Sequence, residues 1–250
     1  MNEPLPLDGR IALVTGASRG IGYASALALA QAGAHVVAAA RTQGGLEELD
    51  DEIRIATGKR ATLTPFDLVD GGAIDRLGGA LNERFGKLDI LVHAGAMLGT
   101  LTPASHMEPR DWAKVVAINM TAPYRLIRSM EPLLRQSDAG RAVFFTSNAV
   151  SQPRAFWGGY AATKAGMETL VKCWADEMEN TSVRPILVNP GRMRTRMRAE
   201  AYPGEDPEGL PEPSEIGPMI VDLCNPERDA PDGVVSFRAW KAGPSVSALV

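Results

Sequence analysis

Three side chains in this sequence are of types that do chemistry together: Ser147, Tyr160 and Lys164. Tyr160 and Lys164 are four residues apart, which places them on one helix face about one turn from each other. An ammonium near a phenol favours the phenolate and lowers the tyrosine pKa from its ordinary value of about 10. A tyrosine tuned in this way can give a proton to a reacting oxygen or take one from it. Solvated helix faces carry such pairs as well, so the pair gains meaning only from its surroundings. Ser147 ends the apolar run at 142–146 and precedes Tyr160 by thirteen residues.

Positioning these groups takes alternating strands and helices. Residues 10–14 are a short apolar run, followed by Thr15-Gly16-Ala17-Ser18-Arg19-Gly20-Ile21-Gly22. A helical pattern at 24–31, a closing Gly33 and a second apolar run at 35–40 come next. Strand, glycine loop, helix and strand in about thirty residues make a βαβ unit. The glycines let the backbone approach a pyrophosphate, whose charge then sits at a helix N-terminus. A glycine-rich turn without ligand is the bland alternative.

The end of the second strand decides the nucleotide. A carboxylate there would accept a bond from a ribose 2′-hydroxyl and repel a 2′-phosphate. This chain has Ala40 and Arg41 instead, and Arg19 of the glycine loop could lie close by. Two guanidiniums and no carboxylate favour NADP, with NAD the alternative, unless both arginines are solvated surface charges.

The alternation continues with a helix at 46–57 and a strand at 61–66 that leads into Asp67. That carboxylate could bond an adenine amino group in the ligand crevice or cap the next helix. A helix at 73–85 and a fourth strand at 88–92 follow, then His93-Ala94-Gly95-Ala96. His93 is expected to bond neighbouring backbone, with a cofactor contact the alternative. Residues 109–135 read as one long helix containing Asn119, an unfavourable residue amid apolar neighbours. Pro123 should bend that helix or free a carbonyl. A helix at 157–178, a sixth strand at 183–189 and the turn Asn189-Pro190-Gly191 come next; Pro185 is tolerated near the strand's start. Residues 192–212, charged and rich in Pro and Gly, read as a mobile loop with a short helix. A last helix at 213–224 and a final strand at 233–237 complete the pattern. It predicts a doubly wound parallel sheet of about seven strands with helices on both faces, in one domain spanning 1–250.

Composition narrows the function. A formal net charge of −4 argues against nucleic acid or an anionic membrane as the main partner. No apolar stretch is long enough to span a bilayer, and residues 1–10 lack the apolar region of a signal peptide. The two cysteines, Cys173 and Cys224, read as small packing residues; neither has a metal-ligand companion, so no metal is expected. A reducing cytoplasm is the simplest compartment.

Taken together, the residues resemble the short-chain dehydrogenase/reductase family in its standard-length branch. The resemblance rests on Thr15-Gly16-x-x-x-Gly20-x-Gly22, Asp67, Asn119, Ser147, Tyr160-x-x-x-Lys164 and Pro190-Gly191 with Thr195 beyond. It implies a hydride transfer between a nicotinamide cofactor and a carbonyl/alcohol pair, 3-oxoacyl thioesters, sugar-like ketones and xenobiotic carbonyls being candidates. By resemblance, Tyr160 is the general acid, Lys164 binds the nicotinamide ribose and tunes Tyr160, and Ser147 bonds the substrate oxygen. Asn119 holds a water of a proton relay, and Thr195 meets the nicotinamide carboxamide. The loop of Gly16, Ser18, Arg19, Gly20, Ile21 and Gly22 holds the cofactor with Arg41, Asp67, Pro190 and Gly191. The family also implies a homo-oligomer, a tetramer or dimer, formed through the helices at 109–135 and 157–178. Trp112, Leu170 and Trp174 are apolar positions there that could equally be core. A non-catalytic dinucleotide sensor is the alternative, but such proteins characteristically lack the tyrosine or lysine. An epimerase or dehydratase of the longer branch would have another glycine spacing and a larger C-terminal region.

Two features depart from the pattern. The family's Asn-Ala-Gly after the fourth strand is here Val92-His93-Ala94-Gly95; the missing amide aligns with Ala94 without a gap, or with His93 if one residue is deleted. Four arginines also crowd into seven residues, Arg192, Arg194, Arg196 and Arg198. They are either a solvated face neutralised by Glu200, Glu205 and Asp206, or a site for an anionic group on cofactor or substrate.

Overall fold

The computed structural model describes residues 5–243. Seven parallel strands form one sheet in the order β3-β2-β1-β4-β5-β6-β7. They are β1 (Ile11–Thr15), β2 (His35–Ala40), β3 (Thr62–Pro65), β4 (Ile90–His93), β5 (Arg141–Phe145), β6 (Arg184–Asn189) and β7 (Val234–Ser236). The strands are short, apolar and mostly buried, as strands covered on both faces must be. One layer of core packs β1 and β2 against α1 (Gly20–Gln31), α2 (Gln43–Thr57) and α9 (Gly217–Cys224). The opposite layer packs the sheet against α3 (Gly71–Phe85), α5 (Ala122–Leu134) and α7 (Gly158–Glu177). Chain order reverses between β1 and β4, so their carboxyl ends part and open a crevice at the switch point.

The buried carboxylate of Asp89 braces the other end of that pair. It accepts bonds from Ser137 at 2.6 Å, from Arg10 at 3.1 Å and from the Ile11 amide at 2.9 Å. Burial pushes its pKa up, but the bonds from Ser137 and Ile11 and the Lys87 ammonium at 3.0 Å outweigh it and hold the carboxyl below the usual carboxylate range.

Helix 109–135 is not regular. It runs as α4 (Pro109–Val116), a π-turn over Ala117–Thr121, and α5. Pro123 explains the site of the irregularity, because it has no N–H for the carbonyl four residues back, that of Asn119. The segment expected as the last helix begins as a 3₁₀ turn over Pro213–Ile216 and becomes α9 only at Gly217. Nor is it last: Phe237, expected in the final strand, starts α10 (Phe237–Lys241) and is buried against the first core layer. Between β5 and α7 lies the one-turn α6 (Asn148–Ser151); beyond β6, α8 (Arg196–Ala201) is the short helix expected in the loop. Cys224 is buried, but Cys173 is exposed, on the outer face of α7. No helix among the described residues is long and apolar enough to cross a membrane.

Candidate active site

A cavity of about 610 Å³ lies along the carboxyl ends of the strands. Gly16, Ser18, Arg19, Gly20, Ile21 and Gly22 line one arm of it with Arg41 and Asp67. Ser147, Tyr160, Lys164, Pro190, Gly191 and Thr195 line the other. The sequence-identified site therefore converges on one crevice, with one exception: Asn119 stands behind the wall, 1% exposed.

The glycine loop is built for close approach. Gly16 has φ +71° and Gly20 φ +57°, a region that favours glycine. A Cβ on Gly16 would lie 2.7 Å from the Gly95 amide, and one on Gly22 would collide with the Gly16 carbonyl oxygen. The loop thus packs onto the end of β4 and leads straight into the first turn of α1, whose amides face the crevice. That is a cradle for a pyrophosphate.

Arg41 lies in the crevice with its guanidinium 3.7 Å from Asp67. The carboxylate missing from the end of β2 is thus supplied from the end of β3. Asp67 also accepts from the Val69 amide at 3.2 Å. Asp67 does not cap α3; Asp70 does, accepting from the Ala73 amide at 2.9 Å.

At the other arm, Ser147 caps α6 and accepts from the Ala149 amide at 3.2 Å. Burial raises the Tyr160 pKa, and the neighbouring Ser147 hydroxyl pulls the other way. The expected lowering by Lys164 is absent in this geometry. The Lys164 ammonium donates to the Phe145 carbonyl at 2.8 Å. Burial alone pushes Lys164 down to about 8.

Asn119 is held by three contacts. Its side-chain oxygen accepts from the Met97 amide at 2.9 Å, and its side-chain nitrogen donates to the Met97 carbonyl at 2.9 Å and to Thr163 at 3.2 Å. The amide locks the loop after β4 to the π-turn and to α7, so the side chain has little capacity left for a water.

His93 bonds a side chain rather than backbone. Its Nδ1 lies 2.8 Å from the Thr15 hydroxyl, because β1 and β4 set Thr15 beside His93 in register. The ring does not line the cavity; Ala94 and Gly95 do. Burial and the nearby Lys164 charge push His93 down to about 3, so the imidazole is neutral. Its Nε2 is buried without a partner among the described residues.

The four arginines are all paired. Arg198 meets Glu205 through two bonds of 2.5 and 2.6 Å, and Arg196 meets Glu200 at 2.8 Å. Arg194 meets Glu212 at 2.6 Å, and Arg192 lies 3.8 Å from Glu205. Of the four, only Arg196 and Arg198 are helical. Thr195 caps α8 by accepting from the Arg198 amide at 3.2 Å, and its methyl lies near Gly20 across the crevice.

Sequence reasoning missed Glu168 and Trp157. Glu168 accepts from Thr146, the residue before Ser147, at 2.5 Å and from Lys172 at 2.8 Å. It continues the series 160, 164, 168 and 172 on one face of α7, which was a readable signal. Trp157 lines the cavity three residues before Tyr160, at the same kind of spacing. No sequence signal pointed to Met97.

The geometry coincides with what known proteins show. A family model for short chain dehydrogenases matches residues 10–206. The chain belongs to the short-chain dehydrogenase/reductase family. Among its relatives in that family is the uncharacterized oxidoreductase YciK of Escherichia coli, 36% identical over 87% of this chain and 86% of the relative. Another is a 2,3-dihydro-2,3-dihydroxybenzoate dehydrogenase of Bacillus subtilis, 30% identical over 95% of this chain and 92% of the relative. A short chain dehydrogenase of Shigella flexneri, solved in complex with NADP, superposes with a TM-score of 0.90 at 34% identity. The match covers 94% of this chain and 100% of the other. This chain is thus a short-chain dehydrogenase/reductase enzyme with the family's Rossmann-type fold.

Proposed function

We propose that this enzyme transfers a hydride between NADPH and a carbonyl compound, in one domain whose substrate loop spans residues 192–212. The observation that carries the reading is that Ser147, Tyr160 and Lys164 line the same crevice as the glycine cradle and Arg41. The cradle fits a dinucleotide, because glycine at positions 16 and 22 lets the loop close against the end of β4 and against itself, where a side chain would strike backbone, and so present its amides to a phosphate. Arg41 and Arg19 would hold a 2′-phosphate. The NADP complex of the Shigella flexneri relative supports that choice. NADPH, when bound, supplies the hydride to the carbonyl carbon and leaves as NADP.

The chain's own residues manage the proton and the charge. Ser147 donates to the carbonyl oxygen and stabilises the charge that develops there. Tyr160 gives that oxygen its proton, so the C=O π bond becomes C–H and O–H. Lys164, at about 8, exchanges a proton near neutral pH and would swing from Phe145 toward the cofactor ribose and Tyr160. Asn119 serves the relay through its main-chain carbonyl, which Pro123 deprives of its α-helical partner, while its amide holds the surrounding loop. Asp67 and Thr195 border the two ends of the bound cofactor. Oxidation of an alcohol is the same path reversed.

The relatives diverge, from the 2,3-dihydro-2,3-dihydroxybenzoate dehydrogenase to a 3-oxoacyl-[acyl-carrier-protein] reductase of Vibrio harveyi, 31% identical, so they do not choose a substrate. Trp112, Met120 and Tyr124 project from α4, the π-turn and α5 at 44%, 41% and 48% exposure, which supports pairing of these helices with a second copy. Trp174 is core, at 2% exposure. The deciding experiment is NADPH oxidation across ketone classes, run beside NADH. Turnover with NADPH favoured supports the reading, and cofactor binding with no turnover of any carbonyl or alcohol would favour a sensor.

A further inference from the structure

Beyond Tyr160 the crevice is walled by a fixed aromatic stack. The Trp157 ring meets Tyr160 edge-on, centroids 5.8 Å apart at 77°. Tyr202, at the end of α8, packs on the same indole at 5.7 Å and 37°. The Arg198 guanidinium lies 3.7 Å from the Tyr202 ring centroid and is gripped by both oxygens of Glu205. Before Trp157 the backbone is strained. Phe156 has φ +74°, which an aromatic residue rarely adopts, and its carbonyl is tied to the Thr102 amide at 3.1 Å. Both neighbours therefore fix where the indole stands.

Much of the rest of this wall is apolar and soft, with Lys114 of α4 at its exposed rim. Met97, Leu98, Met193 and Met197 line the crevice with Trp157. Thioethers are polarizable, fill irregular space and make favourable contacts with aromatic rings. The loop arginines at this end are already engaged, Arg198 by Glu205 and Arg194 by Glu212. An anionic group that reached either guanidinium would have to displace its carboxylate. A sugar-like ketone would bury hydroxyls against methyl and thioether groups with no partner. A flat apolar ring meets neither obstacle.

We propose, resting on the carbonyl-reductase reading above, that the substrate class is a neutral carbonyl compound bearing an aromatic ring, seated against Trp157 with its oxygen at Ser147 and Tyr160. Trp157 is then the specificity-determining residue. Aromatic pairing contributes about 0.5–1.5 kcal/mol beyond area burial, roughly a two- to tenfold preference.

The test compares phenylacetone with cyclohexylacetone, two ketones of similar size whose carbonyls are not conjugated to the ring. The wild type should favour phenylacetone in kcat/KM by roughly two- to tenfold. Trp157→Leu should abolish the ratio and Trp157→Phe should keep it, with NADPH binding confirming that each variant folds. The corresponding alcohols should show the same order in binding to the NADP-loaded enzyme. A ratio near one in the wild type, or an equal ratio in Trp157→Leu, overturns the proposal while leaving a reductase. If neither ketone is turned over, the reductase reading fails on these substrates. The alcohol binding order then decides the wall by itself, for it if the phenyl compound binds tighter and against it otherwise.

Discussion

Lys164 reaches back from α7 to donate to the carbonyl of Phe145 at 2.8 Å, two residues before Ser147. One bond thus joins the helix that carries Tyr160 to the strand end that carries Ser147. Glu168, one turn further along α7, repeats the tie through Thr146.

Lys164 should make stability depend on pH. Its folded pKa of about 8 lies below the unfolded value of 10.5, so between these the unfolded chain binds more protons. Stability from this group therefore rises as pH rises from about 8 to 10.5. Denaturant melts of the cofactor-free protein should show the wild type gaining on Lys164→Met across that window. A flat difference would mean that the ammonium is better solvated than its burial implies.

His93 acts at the acid end. Its folded pKa of about 3 lies below 6.5, so stability falls as pH drops from about 6.5 toward 3. His93→Asn should lose less stability over that range, by thermal melts at pH 7 and pH 4.5. Equal acid sensitivity in the two proteins would remove His93 as a source.

Tyr160→Phe keeps the ring and removes the proton. The variant should fold and bind NADPH while turnover falls by on the order of a hundredfold or more. Steady-state rates beside a fluorescence titration of NADPH check this, and retained turnover would take Tyr160 out of the role.

Arg41→Ala should weaken NADPH far more than NADH. A charge-assisted bond to phosphate contributes roughly 1.5–3 kcal/mol, or about ten- to a hundredfold. Michaelis constants for both cofactors give the answer, and equal effects would overturn the NADP assignment.

Neutralising Arg194 and Arg198 together should slow matched anionic and neutral ketones alike, because both guanidiniums hold the loop through Glu212 and Glu205. Turnover across a salt series reads this out. A loss confined to the anionic ketone would instead give these arginines a direct substrate contact.

Much of this was legible in the sequence for a physical reason. Strand and helix periods, glycine spacing and the Tyr160/Lys164 interval are local properties, and local properties fix the sheet and bring the cavity's ends together. What stayed hidden depends on register or on distant partners. Thr15 meets His93 only because β1 and β4 pair in that register. Asp67 meets Arg41 across two strand ends, and whether four arginines are free depends on carboxylates up to eighteen residues away, Glu212 from Arg194. The direction in which Lys164 points cannot be read from spacing.

The π-turn at 117–121 makes this stretch sensitive to length more than to side-chain identity. An i→i+5 turn is an α-turn carrying one surplus residue. Deleting one residue there would let α4 and α5 fuse into a regular helix with its apolar stripe largely intact. The flanking helices would keep their faces toward the core, while the residues of the turn itself, Asn119 among them, would point in new directions. Asn119 would lose Met97, and the loop beneath the crevice would lose its anchor. A one-residue deletion should therefore be tolerated by the fold and fatal to turnover, whereas many point substitutions on the outer face of the same turn should be neutral.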